Sequence, residues 1–310
     1  LGTASPVGFR PGVALLNSAP SAAVALELDD DVAVLAYVHE EGDALRVLPD
    51  AAVRGLTGRC DRVLCVSEAS RRDLEALGVD PARLRVLPPA VVVEGRGPAP
   101  GSDATSSVRA QIGADDDRPL VVACGEASWR KGADLFVDVA RRSASGATWA
   151  WVGRRPRAFG RLLDHDVLTA GLDGRVRWVG EVADARPLLA AADLVVMPSR
   201  EDPQPLVPLE AAVVGTPTAA FDIGGLSALA ADGAAEVVPF PDTVALAGAV
   251  DEILGDRRRR DALAARALER VRAHHDADRA AAVLAAELHD LRRASGHDGE
   301  PERPAQEPPR

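Results

Sequence analysis

The sequence predicts a doubly wound α/β fold, and two features of its 310 residues support this prediction. Short runs rich in β-branched residues recur between stretches with helical periodicity, so strands and helices alternate along the chain. Several of these runs are apolar throughout, as expected of parallel strands that are covered by helices on both faces. The predicted strands are residues 13–16, 32–38, 62–66, 84–87, 120–124, 149–152, 176–179, 194–197 and 218–221.

The chain is long enough for two domains of this kind, and a change in composition marks the boundary between them. Residues 91–117 are rich in Pro, Gly, Ser and Asp, and the segment 94–103 shows no pattern of a helix or strand. We therefore predict a partial N-terminal domain over residues 1–90, a linker over 91–117 and a second domain over 118–275.

The C-terminal part of the sequence is predicted to be helical. Helical segments are expected at 242–254, 257–274 and 277–293, and the last two are rich in Ala, Leu and Arg. We treat residues 276–294 as a separate helix that could return to the N-terminal domain. Residues 295–310 contain four Pro and no strongly apolar side chain, which predicts a disordered tail.

Composition argues against several classes of function. A net charge of −11 would repel nucleic-acid phosphates, and only 3% of the residues are aromatic. The chain has no run of about 18 apolar residues, which is the length needed to span a bilayer. The first residues lack the parts of a signal peptide, so we expect a cytoplasmic location with reduced cysteines. The arginine run 257–260 would permit weak peripheral contact with an anionic membrane, although a solvated helix face is the commoner interpretation.

Lys131 is the only lysine among 36 basic residues. It lies in a Gly-containing loop that follows the predicted strand 120–124. An ammonium is a compact charge on a flexible stem and suits a diphosphate in a tight site better than the planar fork of Arg. Rarity alone is weak support for a site, because Asn17, Tyr37 and Met197 are also single residues of their kind.

A Pro-rich turn and a helix follow the predicted strand 194–197. The helix is predicted to begin near Pro205, which would leave the backbone amides of Leu206 and Val207 free. The positive end of the helix dipole favours a phosphate at this position.

Two carboxylates flank this helix start. Asp202 in the turn and Glu210 in the helix could bind the hydroxyls of a sugar and of a ribose. Taken alone, Asp202 is more simply a helix cap and Glu210 a solvated residue. The functional interpretation gains weight because the Lys131 loop, this turn and the loop 222–226 each follow a strand of the same predicted sheet, where ligands of α/β folds bind.

With these residues the chain resembles the GT-B glycosyltransferases of family 4, in which a Lys-Gly loop is followed by an acidic residue, seven residues, Glu, and then Gly-Gly. The resemblance covers about residues 32–290. It implies two Rossmann-like domains, of which the C-terminal one binds a nucleotide-diphosphate sugar and the N-terminal one presents a glycan, lipid or small-molecule acceptor. It also implies transfer with retention at the anomeric carbon, without a metal ion or other cofactor.

The resemblance suggests roles for particular residues. Lys131 looks like the diphosphate ligand, Asp202 like the contact to the donor sugar and Glu210 like the partner of the ribose. The base is expected to bind along Gly180, Glu181 and Val182.

The chain departs from the family pattern in three places. Asp202 stands where the family usually has Glu. Glu126 stands where many members have Arg, so Arg130 is expected to supply the second positive charge at the diphosphate. Ala228 replaces a Glu found in many relatives.

Two residues in the first half are candidates for the acceptor side. His39 follows the strand 32–38 and, by the resemblance, could position a reacting hydroxyl, although a lone His after an apolar strand is more often structural. Ser67 is first a helix N-cap and second an acceptor contact. The Asp-x-Asp patterns at 29–31 and 115–117 precede strands and are predicted to be turns rather than metal sites.

Two alternative functions stay open, a GT-B epimerase and a non-catalytic remnant that only binds a nucleotide sugar. The second follows from an expectation about the N-terminal domain. Only about four predicted strands precede the linker, so we expect its opening strands to be absent, with nucleotide binding retained and sugar transfer slow.

Overall fold

The computed structural model describes residues 12–93, 102–115, 117–203 and 205–296. The chain divides into two compact units. Unit 1 contains the described residues up to Leu87 and from Ala281 onward, and unit 2 contains those of Pro88–Ala280. Each unit has one parallel sheet with helices packed on it, which confirms the α/β fold class. The predicted tail lies outside the described residues from position 297 onward.

Unit 1 is built on a four-stranded parallel sheet in the order β1-β2-β3-β4. Val34, Ala36 and Val38 alternate along the second strand and enter one apolar cluster, because successive side chains of a strand point to opposite faces. The strands are β1 Val13–Leu16, β2 Ala33–Val38, β3 Arg62–Cys65 and β4 Leu84–Val86, and the α-helices are α1 Asp43–Arg46, α2 Asp50–Arg54 and α3 Glu68–Ala76. Short 3₁₀ helices span Pro20–Glu27 and Pro81–Arg83, and a π-helical turn spans Gly55–Arg59.

Unit 2 is built on a six-stranded parallel sheet in the order β10-β9-β8-β5-β6-β7. Its strands are β5 Leu120–Cys124, β6 Thr148–Val152, β7 Val176–Gly180, β8 Leu194–Met197, β9 Thr218–Phe221 and β10 Glu236–Val238. Its helices are α4 Asp103–Gln111, α5 Ala133–Arg142, α6 Arg157–Thr169, α7 Arg186–Ala191, α8 Leu206–Val214, α9 Leu226–Ala231, α10 Thr243–Gly255 and α11 Arg257–His274.

Both faces of the unit 2 sheet are covered, as the uniformly apolar strands predict. Leu120 and Val122 of β5 belong to one apolar cluster, whereas Val121 and Ala123 belong to another. A strand buried on both sides leaves its carboxyl end as the place where polar side chains can gather.

The chain reverses its direction of winding at β5 and β8. From β5 the sheet extends through β6 to β7, and from β8 it extends the other way through β9 to β10. In open α/β sheets the crevice outside the carboxyl ends of such neighbouring strands is where ligands bind. A ligand site is therefore expected at the loops after β5 and β8.

Two elements of unit 2 differ from the predicted ones. Helix α4 forms inside the stretch predicted as a linker, and Val108 on it packs with Ile112 against an apolar cluster of unit 2. Other tertiary contacts also stabilise this helix, since Arg109 donates to the Ala191 carbonyl at 2.9 Å and to Asp193 at 2.5 Å. Strand β10 was not predicted, because its three residues are too few to show a periodic pattern.

The last helix, α12 Ala277–Ala294, begins in unit 2, and its residues from 281 onward belong to unit 1. Within unit 1, Glu287 of α12 forms an ion pair with Arg62 at 3.0 Å, and Leu291 of the same helix is buried. None of the helices in the described residues is both long enough and apolar enough to cross a bilayer.

Candidate functional site

The loops that follow β5 and β8 lie directly against each other. Gly132 has a φ of 71°, and a Cβ at this position would come within 1.9 Å of the Pro198 carbonyl oxygen. Only glycine tolerates both this conformation and this approach. The backbone amide of Arg200 donates to the Arg130 carbonyl at 2.9 Å. The residue that follows Lys131 is thus what allows the two loops to meet.

Lys131 and Asp202 form an ion pair in the crevice between β5 and β8. The Lys131 Nζ lies 2.5 Å from Asp202 Oδ2. The Lys131 side chain is 18% exposed and that of Asp202 is 8% exposed, so the pair is largely withdrawn from water. The hydroxyl of Ser199, which is also buried, lies 3.5 Å from the same carboxylate oxygen. The structure therefore brings together the two residues predicted to bind the diphosphate and the donor sugar.

Helix α8 begins at Leu206, directly after Pro205, as predicted. In the part of the chain that the structure describes, no side chain caps its N-terminus. The amides of Leu206 and Val207 lie in the first turn, where no intrahelical acceptor is available to them. They are suited to receive an anion from the crevice.

Glu210 lies on the second turn of α8 and is half-buried. Burial raises the pKa of its carboxyl, while the nearby Arg186 lowers that pKa and Asp184 raises it. Burial also raises the pKa of the Cys124 thiol at the end of β5 to about 11, with Glu210 raising it further and Lys131 lowering it. Glu210 and Lys131 therefore both lie close enough to the end of β5 to influence the pKa of the Cys124 thiol.

The predicted base-binding edge follows β7. Gly180 accepts a hydrogen bond from the Gly153 amide at 2.8 Å, and the side chains of Glu181 and Val182 are exposed. A few residues on, Arg186 donates to both oxygens of Asp184 at 2.9 and 2.7 Å. Neighbouring strand ends thus place this edge beside the loop that follows β6.

Two arginines border the Lys131 loop. Arg130 donates through Nη1 to the Glu201 carbonyl at 2.9 Å. Arg154, in the loop after β6, forms an ion pair with Glu126, and its carbonyl accepts from the Ala127 amide at 2.8 Å. Glu126, the acidic residue that departs from the family pattern, is therefore paired with an arginine from the loop after the neighbouring strand, a partner that the sequence did not predict.

The Lys131 loop also carries an exposed aromatic ring held on one face. The Arg200 guanidinium lies 4.6 Å from the centroid of the Trp129 ring. It also donates to both oxygens of Asp134, at 2.7 and 2.6 Å. These contacts fix the position of the loop at its outer side.

In unit 1, His39 lies at the carboxyl end of β2 and contacts the end of β1. Its Nε2 is 2.9 Å from Asn17 Oδ1, and its backbone amide donates to Glu40 Oε2 at 3.0 Å. The same carboxylate oxygen accepts from the Ala19 amide at 2.9 Å. Burial lowers the pKa of His39, and Glu40 opposes this by raising it. The ring is thus held in place with a preference for the neutral form.

Ser67 is the N-cap of α3, as its first interpretation predicted, because its Oγ accepts from the Ser70 amide at 2.9 Å. Its hydroxyl also donates to Glu41, which is only 9% exposed. Burial raises the pKa of Glu41, and the hydrogen bond from Ser67 lowers it. Glu41 and Asn17 were not predicted, since single polar residues at strand ends carry no pattern.

The two Asp-x-Asp patterns lie next to strand starts. The Asp29 carbonyl accepts from the Val32 amide at 3.1 Å in a turn before β2, and Asp115 and Asp117 precede β5. Within the described ranges, no three His, Cys, Asp or Glu side chains come together as a metal site would require.

Comparison with protein families gives two matches. The model described as "Glycosyl transferases group 1" matches residues 118–256, and the one described as "Glycosyltransferase Family 4" matches residues 9–94. Together they cover more than half of the chain. This chain belongs to the group 1, or family 4, glycosyltransferases.

Two relatives match this glycosyltransferase over part of their length. It is 32% identical over 203 residues to a lipopolysaccharide core biosynthesis mannosyltransferase of Rhizobium meliloti, covering 63% of this chain and 58% of that protein. It is 32% identical over 232 residues to a D-inositol 3-phosphate glycosyltransferase of Kineococcus radiotolerans, covering 68% and 53%. The chain thus spans little more than half the length of these relatives.

Solved structures agree on the fold. The glycosyltransferase superposes on a sucrose-phosphate synthase from Thermosynechococcus elongatus with a TM-score of 0.79 at 25% identity, covering 91% of this chain and 74% of that one. It matches the Anabaena protein HepE in complex with UDP with a TM-score of 0.80 at 20% identity, covering 89% and 78%. The GT-B fold expected from the resemblance is confirmed.

Proposed function

We propose that this protein transfers a sugar from a nucleotide-diphosphate sugar to a glycan, lipid or small-molecule acceptor, with retention at the anomeric carbon. The observation that carries this proposal is the Lys131–Asp202 pair at the point where the winding of the unit 2 sheet reverses. A cation for a diphosphate and a carboxylate for sugar hydroxyls meet there at 2.5 Å.

In this proposal, different residues of unit 2 bind different parts of the donor. Lys131 and the first amides of α8, those of Leu206 and Val207, bind the diphosphate. Asp202 accepts hydrogen bonds from donor-sugar hydroxyls, and Glu210 accepts them from the ribose. The base lies along residues 180–182. Arg130 is the candidate for a second cation at the diphosphate, and the Glu126–Arg154 ion pair offers another.

Catalysis in this proposal is mainly electrostatic. The bond between the anomeric carbon and the diphosphate oxygen breaks, and the acceptor oxygen forms its bond on the same face. The acceptor proton passes to the departing diphosphate. Lys131 and the helix amides stabilise the charge that develops on the leaving group, and such stabilisation provides most of the rate enhancement in many enzymes. Because these groups supply the positive charge, the proposed reaction requires no metal ion.

Unit 1 supplies the acceptor side. His39, hydrogen-bonded to Asn17, positions the reacting hydroxyl, and Ser67 with Glu41 forms a second polar contact. The name of one relative, a lipopolysaccharide core biosynthesis mannosyltransferase, suggests an acceptor in cell-envelope glycan synthesis. The cysteines Cys60, Cys65 and Cys124 are free thiols, which agrees with a cytoplasmic location.

The domain boundaries follow from the same proposal. The acceptor domain comprises residues 1–90, the donor domain 118–275 and the connecting segment 91–117, with residues 276–294 forming the helix that returns. Weak contact of the arginine run 257–260 with an anionic membrane would bring the enzyme to a lipid-linked acceptor.

Thermal unfolding with UDP, GDP, ADP and dTDP tests the donor site. A nucleotide at 100 times its dissociation constant should add about 2.7 kcal/mol to the free energy of unfolding. We expect a shift of the melting temperature with one nucleotide, and loss of that shift in Lys131→Ala. The matched control is Arg258→Ala, which removes an exposed cation of α11 and should keep the shift.

Transfer itself is tested with the sugar donor of the nucleotide that shifts melting. Formation of a glycosylated acceptor with retained anomeric configuration supports the proposal. Cooperative melting without a shift for any nucleotide would contradict it. Conversion of the donor into an epimeric nucleotide sugar would assign an epimerase instead.

A further inference from the structure

Asp202 forms an ion pair with Lys131, which is the cation that the proposed site offers to a diphosphate. We propose that Asp202 competes with the diphosphate for Lys131, so that the site selects a diphosphate that carries a sugar over a bare diphosphate. This inference rests on the proposed donor site and adds a determinant of specificity to it. Its basis is the 2.5 Å contact between Lys131 Nζ and Asp202 Oδ2 in a largely buried position.

The loop that carries Asp202 is tied on both sides. Before Asp202, the Arg200 amide donates to the Arg130 carbonyl at 2.9 Å. After it, the Pro203 carbonyl accepts from the Gly225 amide at 2.7 Å. These hydrogen bonds restrain the backbone of the loop on both sides of Asp202. Lys131, with its long flexible stem, is the member of the pair that moves.

A bare diphosphate can bind Lys131 only by taking it from Asp202. The carboxylate is then left buried without its cation and close to a new anion, and both changes are unfavourable. The Ser199 hydroxyl, at 3.5 Å, is too distant to compensate. The loss of the ion pair and the repulsion from the new anion both weaken binding of the bare diphosphate.

A nucleotide sugar changes this balance because its sugar carries hydroxyl donors. Hydrogen bonds from these hydroxyls to Asp202 replace the lost ion pair, so the carboxylate stays satisfied while Lys131 binds the diphosphate. After transfer the sugar is gone, and Asp202 can recover Lys131. The same contact that selects the donor therefore also promotes release of the nucleoside diphosphate product.

Calorimetric titration of the 310-residue chain with inorganic pyrophosphate tests this competition without knowledge of the base. We expect Asp202→Asn to bind pyrophosphate roughly tenfold more tightly than the unaltered protein, within the usual range for coupled binding events. Asp202→Ala should show the same gain, which excludes a new hydrogen bond from the Asn amide. The gain should disappear in Lys131→Ala/Asp202→Asn, as in a double-mutant cycle.

A second experiment measures the dissociation constants of a nucleoside diphosphate and of its glucose ester in the unaltered protein and in Asp202→Asn. The ratio of the two dissociation constants should move in favour of the bare diphosphate in Asp202→Asn. Melting curves verify that each variant is folded, and Asp202→Ser replaces any variant that is not.

The outcomes separate this inference from the proposed function. Pyrophosphate binding that depends on Lys131 but is unchanged or weaker in both Asp202 variants would overturn the competition and leave the donor site intact. Binding that is insensitive to Lys131→Ala, or absent from all the proteins including the Asp202 variants, would overturn both.

Discussion

Gly224 lies directly against the backbone carbonyl of Asp202. A Cβ at position 224 would come 2.2 Å from that oxygen, and the residue has a φ of 48°. The loop after β9 therefore supports the loop after β8 at the residue that pairs with Lys131. Both the close approach and the left-handed backbone require glycine here.

Gly224→Ala should displace Asp202 and abolish the stabilisation by nucleotide. The left-handed conformation alone costs a non-glycine residue about 1–2 kcal/mol, and the steric conflict adds to this. The matched control is Gly248→Ala in α10, where a Cβ meets nothing within 4 Å. That variant should gain up to about 1 kcal/mol, and equal melting of the two variants would contradict the structural role of Gly224.

Glu210→Gln should make the protein more stable near neutral pH. Burial raises the pKa of Glu210, so the folded protein binds this proton more tightly than the unfolded chain does. The contribution of Glu210 to stability is present below its unfolded-state pKa and is lost as the pH rises through its folded-state pKa. The gain from Glu210→Gln should therefore appear above this window and vanish below it, as measured by melting temperature against pH.

The same variant tests the ribose contact. Glu210→Gln should weaken binding of the cognate ribonucleoside diphosphate and have less effect on its 2′-deoxy analogue, because the amide keeps only one acceptor oxygen and no negative charge for the ribose hydroxyls. In the unaltered protein, binding should weaken as the pH falls through the folded-state pKa of Glu210. Arg186→Ala should move this midpoint upward and Asp184→Asn downward, since these side chains lower and raise that pKa, respectively.

Asn17→Asp should raise the pKa of His39. The Asn17 Oδ1 lies 2.9 Å from His39 Nε2, so a carboxylate there would favour the imidazolium. We expect the NMR titration midpoint of His39 to move upward and transfer to require a higher pH. Asn17→Ala, which removes the contact without adding charge, is the control. An unchanged midpoint in Asn17→Asp would show that the two side chains do not interact in solution.

Arg154→Ala and Arg130→Ala compare the two candidates for the second cation. Glu126 and Arg154 are both substantially exposed, so their ion pair is worth no more than about 1 kcal/mol. We expect Arg154→Ala to melt nearly as the unaltered protein does and to weaken nucleoside diphosphate binding less than Arg130→Ala, because Glu126 already offsets the charge of Arg154 whereas Arg130 donates to the uncharged carbonyl of Glu201. A larger loss in Arg154→Ala would assign the second cation to Arg154 instead.

Several features of this protein were predictable from local sequence. Runs such as 120–124 and 194–197 contain only apolar residues, and these stretches form β5 and β8 with the predicted bounds. Helix α8 starts where Pro205 predicts it, because proline has a backbone angle suited to a helix entrance and lacks an amide to lose. Ser67 caps α3 for an equally local reason, since its side chain reaches an amide three residues ahead.

The strand order and the side-chain partners depend on how distant segments of the chain pack together. Lys131 and Asp202 are 71 residues apart in the chain, and they meet because β5 lies next to β8 in the sheet. Neighbouring strands likewise bring Glu126 to Arg154 and His39 to Asn17. Contacts with distant residues also stabilise α4, whose local sequence does not favour a helix. Local sequence specified most of the strands, although not β10, together with the polar residues that follow them. The packing of those strands determined which of these residues touch, because a contact energy depends on distance in space and not on position along the chain.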